Sequence, residues 1–310
     1  MPGEEYRQLL PFLPPEVRRA MSDLAAEALA GLEEVRLKTE RPVLLRFDGG
    51  ERFLGDGVLT DDPASARPFS RQDMKKTMLL LSESSVYAFS EELRRGYITL
   101  PGGHRAGFAG RAVLEKGALR TLKEISSVDL RVAREVKGAG KSVLSRLPLF
   151  DGALPSTLLV APPRARKTTL LRDLTRLLSD GIGVGPFRVG LADERSELAA
   201  TLSGVPQLDV GLRTDVVDGC PKAEAMLLLL RSMGPEVLVT DELGREEDGA
   251  AVAEAAKCGV SVLATAHARD GAEARQRPLL RRLLNEGYFR CLVVLSRRQG
   301  PGTVEEVTRL

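Results

Sequence analysis

Hydrophobic residues keep a helical spacing at the start of this chain and then change period. Over residues 1–33 they suit helices, with Pro14 and Pro15 placed to open one and Gly31 to close it. Alternation follows: 35–37, 43–47 and 53–54 read as strands, and Asp48-Gly49-Gly50 supplies the turn between the last two. Ser70 and Asp73 resemble a helix cap ahead of Met74, Thr77, Met78 and Leu81, and a second helix is expected over 84–94. A strand over 97–100, a turn rich in glycine, a return strand and a further strand over 128–132 extend the small sheet. His104 and Arg105 beside that turn suit either contact with a phosphate or a neighbouring subunit, or a tight hairpin with an exposed basic pair. A helix is expected over 134–147. The turn formers of 147–155 place a domain boundary there, giving a smaller α+β domain over 1–150 and a second domain over 151–310.

The second half has a different pattern. Short apolar runs at 156–160, 187–191, 236–240, 260–264 and 291–295 are separated by helical segments, which implies an α/β fold built on a mostly parallel sheet. Polar residues collect where these runs end: Asp193, Glu194, Arg195, Ser196 and Glu197 after the second, Asp241 and Glu242 after the third, Thr265 and His267 after the fourth. In open α/β sheets ligands bind at the carboxyl ends of the strands.

The run at 156–160 leads through Ala161, Pro162, Pro163, Arg164, Ala165 and Arg166 into Lys167, Thr168 and Thr169, and then into an apolar helical stripe of Leu170, Leu171, Leu174, Leu177 and Leu178. A strand, a loop ending in Lys-Thr and a helix is the layout of a phosphate-binding P-loop, in which Lys167 reaches the β/γ-phosphates and Thr168 ligates Mg²⁺. Taken alone, the segment also suits an ordinary strand–turn–helix with a surface lysine. Ala161 and Arg166 stand where that motif has glycine. If both adopt glycine-like geometry, each carries a penalty of roughly 1–2 kcal/mol, so a strained loop and weak ATP affinity are expected. The apolar run ending in Asp241-Glu242 has the Walker B form, in which the aspartate holds Mg²⁺ and the glutamate orients the attacking water. His267 is placed to sense a γ-phosphate, or merely to cap its strand.

Composition narrows the function classes. The 310 residues are 43% hydrophobic and 28% charged, ordinary for a soluble globular protein. A net charge of +2 and a pI near 8.4, with no tryptophan and no interleaving of basic and aromatic residues, give no support to nucleic-acid binding. Cys220, Cys258 and Cys291 are far apart and lack metal-ligand spacing, so buried thiols in a reducing compartment are expected. The N-terminal stretch lacks a signal-peptide pattern, and a cytosolic protein, at most peripheral to a membrane, is expected.

Longer blocks carry a more specific signal. KTTLLRDLTRLLSDG, LADERSELAA, the run from PQLDVGL to LATAHA, RCLVVLSRRQGPGT and, in the first half, YAFSEELRRGYITLPGGHRAGFAGRA resemble the corresponding blocks of the stage III sporulation protein AA family. The resemblance implies a secretion-type ATPase with a RecA-like P-loop domain, similar to the motors of type II and type IV secretion systems and acting as a ring of six. It implies a motor in the mother-cell cytoplasm, peripheral to the membrane and docked on the membrane proteins of the channel complex of endospore formation. It implies ATP and Mg²⁺ as ligands, the Walker A loop over Ala161 to Thr169, Mg²⁺ ligation by Thr168 and Asp241, an acidic box at Asp193, Glu194 and Arg195, and catalytic roles for Glu194, Glu242 and His267. The expected reaction is ATP hydrolysis to ADP and phosphate. The alternative is a structural ring subunit whose nucleotide binding is impaired by the replaced glycines.

Overall fold

The computed structural model describes residues 4–82, 86–149, 152–163, 165–299 and 302–310. It divides into two compact units, Met1–Arg134 and Glu135–Leu310. The division precedes the turn-rich interval at 147–155 because Val143, Leu144, Leu147 and Leu154 are buried in the core of the second unit.

In the first unit, a 3₁₀ segment at Glu5–Phe12 precedes helix α1 (Pro15–Ser22), which Pro15 opens as expected. The helix ends well before Gly31; that glycine sits at φ +81° and turns the chain into the sheet. Strands β1 (Leu32–Lys38), β3 (Leu44–Phe47), β4 (Gly50–Leu54), β5 (Leu59–Thr60), β7 (Tyr97–Thr99), β8 (Arg105–Glu115) and β9 (Ala118–Arg131) form an antiparallel sheet in the order β5-β4-β3-β1-β9-β8-β7. The short strands β2 (Arg41–Pro42) and β6 (Pro68–Phe69) pair with each other. Helix α2 (Arg71–Ser82) begins at a reciprocal cap: Asp73 N–H donates to Ser70 Oγ at 3.1 Å and Ser70 N–H to Asp73 Oδ2 at 3.1 Å. Aspartate thus fills the place usually taken by Glu or Gln. Helix α3 (Val86–Arg95) lies within the expected 84–94 span save its last residue, and Ser84 falls outside the described residues.

One expectation in this unit is exceeded and one is corrected. The strand expected over 128–132 is present to Arg131 as the end of the 14-residue β9, whose first three residues, Ala118, Leu119 and Arg120, are all exposed and carry no alternating burial signal. The pair at 104 and 105 is not an exposed basic pair. His104 is 1% exposed; its Nδ1 accepts from Ala133 N–H at 2.9 Å and its Nε2 lies 3.1 Å from Gln8 Oε1. Gly102 and Gly103, at φ +75° and +77°, make the turn that drives it inward, while Arg105 lies over the Tyr97 ring, 3.5 Å from its centroid.

The second unit carries β10 (Thr157–Ala161), β11 (Val189–Asp193), β12 (Thr214–Asp218), β13 (Val237–Thr240), β14 (Ser261–His267), β15 (Cys291–Ser296) and β16 (Thr303–Arg309) in the order β12-β11-β13-β14-β10-β15-β16. Every pairing is parallel except β15 with β16. Alternate residues of β10 enter two cores: Leu159 and Ala161 join the leucines of helix α5 (Lys167–Asp180), and Leu158 and Val160 join the opposite layer. That layer holds α6 (Lys222–Ser232), α7 (Glu246–Lys257), α8 (Gly271–Gln276) and α9 (Pro278–Asn285). Parallel strands covered on both faces read as unbroken apolar runs, which is why five of them were legible. Strands β12 and β16 were not expected; both lie at sheet edges and are only half buried.

The helix expected over 134–147 is reduced to α4 (Lys141–Leu144). Gly138 at φ +92° turns the chain ahead of it. At Gly140 a Cβ would meet Leu174 atoms at 2.9–3.0 Å, so the backbone passes close over α5, and its N–H donates to Asp173 Oδ2 at 2.8 Å.

Candidate functional site at the carboxyl ends of the parallel strands

Helix α5 starts directly after the loop that leaves β10. Its N-cap residue, Arg166, has φ +55° and ψ +35°, and no side chain caps the first turn. The expected glycine-like geometry is therefore present at Arg166. It is absent at Ala161, which is an ordinary, fully buried strand residue paired in register with His267. Pro162 is half-buried, Pro163 and Arg166 are exposed, Ala165 is buried, and Arg164 lies outside the described residues.

Lys167 is 6% exposed; its Nζ donates to Ala161 O at 3.3 Å and lies 2.9 Å from His267 Nδ1. Burial lowers its pKa from the usual lysine range, against the pull of Asp241 and Glu242. An ammonium only donates, so His267 Nδ1 accepts, and the imidazole N–H is on Nε2, which donates to Glu242 Oε1 at 3.0 Å. Thr168 Oγ1 donates to Asp241 Oδ2 at 2.7 Å. Thr169 is half-buried and lines a small surface recess with Arg172, Asp173 and Asp209. Lys167, Thr168, Asp241, Glu242 and His267 thus meet at the ends of the adjacent strands β13, β14 and β10.

The acidic segment after β11 divides into two roles. Asp193 is 3% exposed and accepts three backbone N–H groups, from Glu197 (2.9 Å), Leu198 (3.0 Å) and Ala199 (2.9 Å). Burial raises its pKa in spite of those donors. It shapes the turn, and it lines the same small cavity as Glu194, Asp241 and Glu242. Arg172 of α5 fastens the same turn by donating to Leu198 O and Glu197 O, each at 2.6 Å. Glu194 accepts from Lys222 Nζ at 2.7 Å, with Arg245 at 3.7 Å. Burial would raise its pKa, but these cations outweigh that and hold it below the usual carboxylate range. Arg195 reaches Glu242 Oε2 at 3.2 Å.

Two members of the network have no role assigned to them by the sequence. Thr265 Oγ1 donates to Asp241 Oδ1 and accepts from Glu242 N–H at 3.0 Å, so it fixes the Asp241 carboxylate and the Glu242 backbone together. Its signal was its place two residues before His267 on the same strand. Lys222 was obscured as one charged residue at the start of a helix.

These groups fit a Mg²⁺–nucleotide. A hydroxyl and a carboxylate already in contact are the sparse protein ligand set that Mg²⁺ uses when phosphates and waters fill the other positions. The uncapped first turn of a 14-residue helix leaves N–H groups for an anion, and Lys167 stands beside it. Among the described residues no cluster of three or more His, Cys, Asp or Glu side chains is built for a metal by itself.

Comparison with known proteins gives a consistent result. The family model for sporulation stage III, protein AA matches residues 4–309. The chain is 39% identical over 301 residues to the stage III sporulation protein AA of Bacillus subtilis (strain 168), covering 97% of this chain and 94% of that protein. Among solved structures it is similar to the Yersinia pseudotuberculosis ATPase DotB (TM-score 0.56, 14% identity, 91% of this chain and 75% of that one). It is also similar to the pilus retraction motor PilT with bound ADP (TM-score 0.55, 16% identity, 85% and 74%). At those identities the likeness shows a shared fold.

Proposed function

The chain belongs to the sporulation stage III protein AA family, and on that premise we propose that it is a RecA-like P-loop ATPase that powers or assembles the channel complex between mother cell and forespore during endospore formation. The observation that carries this reading is the contact of Thr168 with Asp241 at 2.7 Å beside the linked series Lys167, His267 and Glu242. Such a set answers the needs of phosphoryl transfer, in which the protein contributes mainly position and charge.

In this reading Lys167 and the first-turn N–H groups of α5 hold the β/γ-phosphates, and Thr168 and Asp241 hold Mg²⁺. The metal, when bound, neutralises the phosphate charge that builds during transfer. Glu242 orients the attacking water, Glu194 supports it from the neighbouring strand end, and His267 links Glu242 to the phosphate lysine. Thr265 fixes Asp241 and the backbone of Glu242 together. The working form is a ring of six, in the mother-cell cytoplasm and peripheral to the membrane, docked on membrane proteins of the channel complex. No helix among the described residues is long and apolar enough to cross a membrane.

The alternative is a structural ring subunit of the same complex with impaired nucleotide binding; the left-handed backbone of Arg166 strains the loop but, being set by the fold, does not by itself weaken binding. Titration calorimetry with Mg²⁺–ATP and a phosphate-release assay separate the two readings. The motor reading expects binding and turnover that Lys167→Ala abolishes. Parent protein that assembles but releases no phosphate supports the scaffold.

A further inference from the structure

Lys222 is the first residue of α6, and a positive charge is disfavoured at a helix N-terminus by the helix dipole. It is also poorly solvated, its side chain being 12% exposed. A lysine placed against both tendencies is held by its contacts, and these are specific: Nζ lies 2.7 Å from Glu194 Oε2 and donates to the backbone carbonyl of Glu242 at 3.1 Å. Glu194 follows β11 and Glu242 stands just beyond β13, two strands paired side by side. One ammonium therefore ties together the two acids that the proposed function puts to work.

The tie falls where the backbone needs it. Glu242 has φ +52°, left-handed geometry that a residue with a Cβ keeps only when its surroundings impose it. Its N–H is held by Thr265 Oγ1 and Asp241 Oδ1, each at 3.0 Å, and its carbonyl by Lys222. Glu194, Arg195, Lys222, Asp241 and Glu242 also line a cavity of about 20 Å³. That is room for one water, with several polar partners to hold it.

We infer that Lys222 is a positioning residue: it clamps Glu194 and the left-handed turn at Glu242 around this one-water cavity, so that the Glu242 carboxylate faces the water it is to orient. This rests on the ATPase reading of the same site. Lys222 is remote in function from the phosphate grip, which belongs to Lys167, Thr168 and the first turn of α5. Its loss therefore separates the two halves of the site.

The test compares the full-length parent with Lys222→Met, which keeps the stem and removes the charge, and Lys222→Arg, which keeps the charge. Lys222→Met is expected to lower kcat about 10- to 100-fold, the usual effect of removing an outer partner that orients a functional group. KM for Mg²⁺–ATP stays within about threefold, and Lys222→Arg recovers part of kcat. Amide hydrogen exchange across residues 241–244, measured without nucleotide, is expected to quicken in Lys222→Met and to be partly restored in Lys222→Arg. Unchanged kcat, or kcat and KM worsening together through general loss of structure, overturns the inference. If the parent itself has no turnover, the ATPase reading fails instead, and the exchange measurement decides alone: unaltered protection of the turn in Lys222→Met removes the clamp.

Discussion

Replacing Arg166 by glycine should stabilise the protein without tightening its hold on nucleotide. Arg166 has φ +55° at the N-cap of α5, between a fully buried strand and a leucine-packed helix; a turn fixed by that packing is the same with and without nucleotide, so its strain is not created by binding. A side chain in left-handed geometry costs roughly 1–2 kcal/mol, and the extra freedom that glycine gives the unfolded chain returns about 0.4–1 kcal/mol of this. The net gain is about 1 kcal/mol, or a rise in unfolding temperature of roughly 2–4 °C for a domain of this size. Because free and bound states share the relief, Kd for Mg²⁺–ATP should move less than about threefold, which is under 0.7 kcal/mol. Arg166→Ala is the necessary control, since it removes the same exposed charge but keeps the strain. Ala161→Gly should do the opposite of repair: Ala161 is a buried strand residue, and glycine there costs roughly 0.5–1 kcal/mol. Differential scanning fluorimetry and titration calorimetry on the three variants give the answer. The reasoning is refuted if Arg166→Gly melts no higher than Arg166→Ala, or if it tightens ATP binding tenfold or more, which would mean that the strain appears only in the bound loop.

Three further outcomes are expected. Burial holds the His104 imidazole below its usual pKa, so as pH falls the unfolded chain takes up this proton first; the contribution is intact above about pH 6.5 and fades below it. Thermal unfolding at pH 7.5 and 5.5 should therefore show a larger acid-side loss in the parent than in His104→Gln, and equal losses would remove His104 as the cause. Asp193→Asn weakens a buried carboxylate that accepts three backbone N–H groups, and should cost about 2 kcal/mol, or roughly 4–8 °C, in the same melting assay. Light scattering should show concentration-dependent hexamers favoured by nucleotide, whereas monomer alone at high concentration, with and without ATP, argues against the ring.

Legibility in the sequence followed burial. The five central strands of the second unit were readable because each is an apolar run buried on both faces, whereas β12 and β16, at the edges, alternate weakly and went unread. The long β8–β9 hairpin was underestimated for the same reason, since Ala109 to Ala112 and Glu115 to Arg120 face solvent whichever way they point. The helix expected over 134–147 failed from the other direction. Its apolar residues at 143, 144 and 147 have helical spacing, but the close passage of Gly140 over Leu174 depends on a residue distant in sequence.

Within the site, what could be read was residue type at strand ends; what could not was how each side chain spends its hydrogen bonds. Asp193 and Glu194 are neighbours in one acidic cluster, yet the first accepts the N–H groups of its own turn and the second pairs with Lys222, which also reaches the Glu242 carbonyl. Spacing cannot separate them, because the difference lies in which way the chain turns after β11. The glycine positions of the loop make the same point. The motif places glycine at 161 and 166 for one shared reason, close approach of backbone to phosphate, but the two residues fail it differently. Ala161 keeps an extended backbone and a Cβ that the core accepts, so alanine is tolerated there without strain. Arg166 keeps the left-handed turn although its side chain disfavours it, because the fully buried strand on one side and the leucine-packed helix on the other hold the chain in that path. The surrounding core thus holds at Arg166 a left-handed turn that the local sequence disfavours.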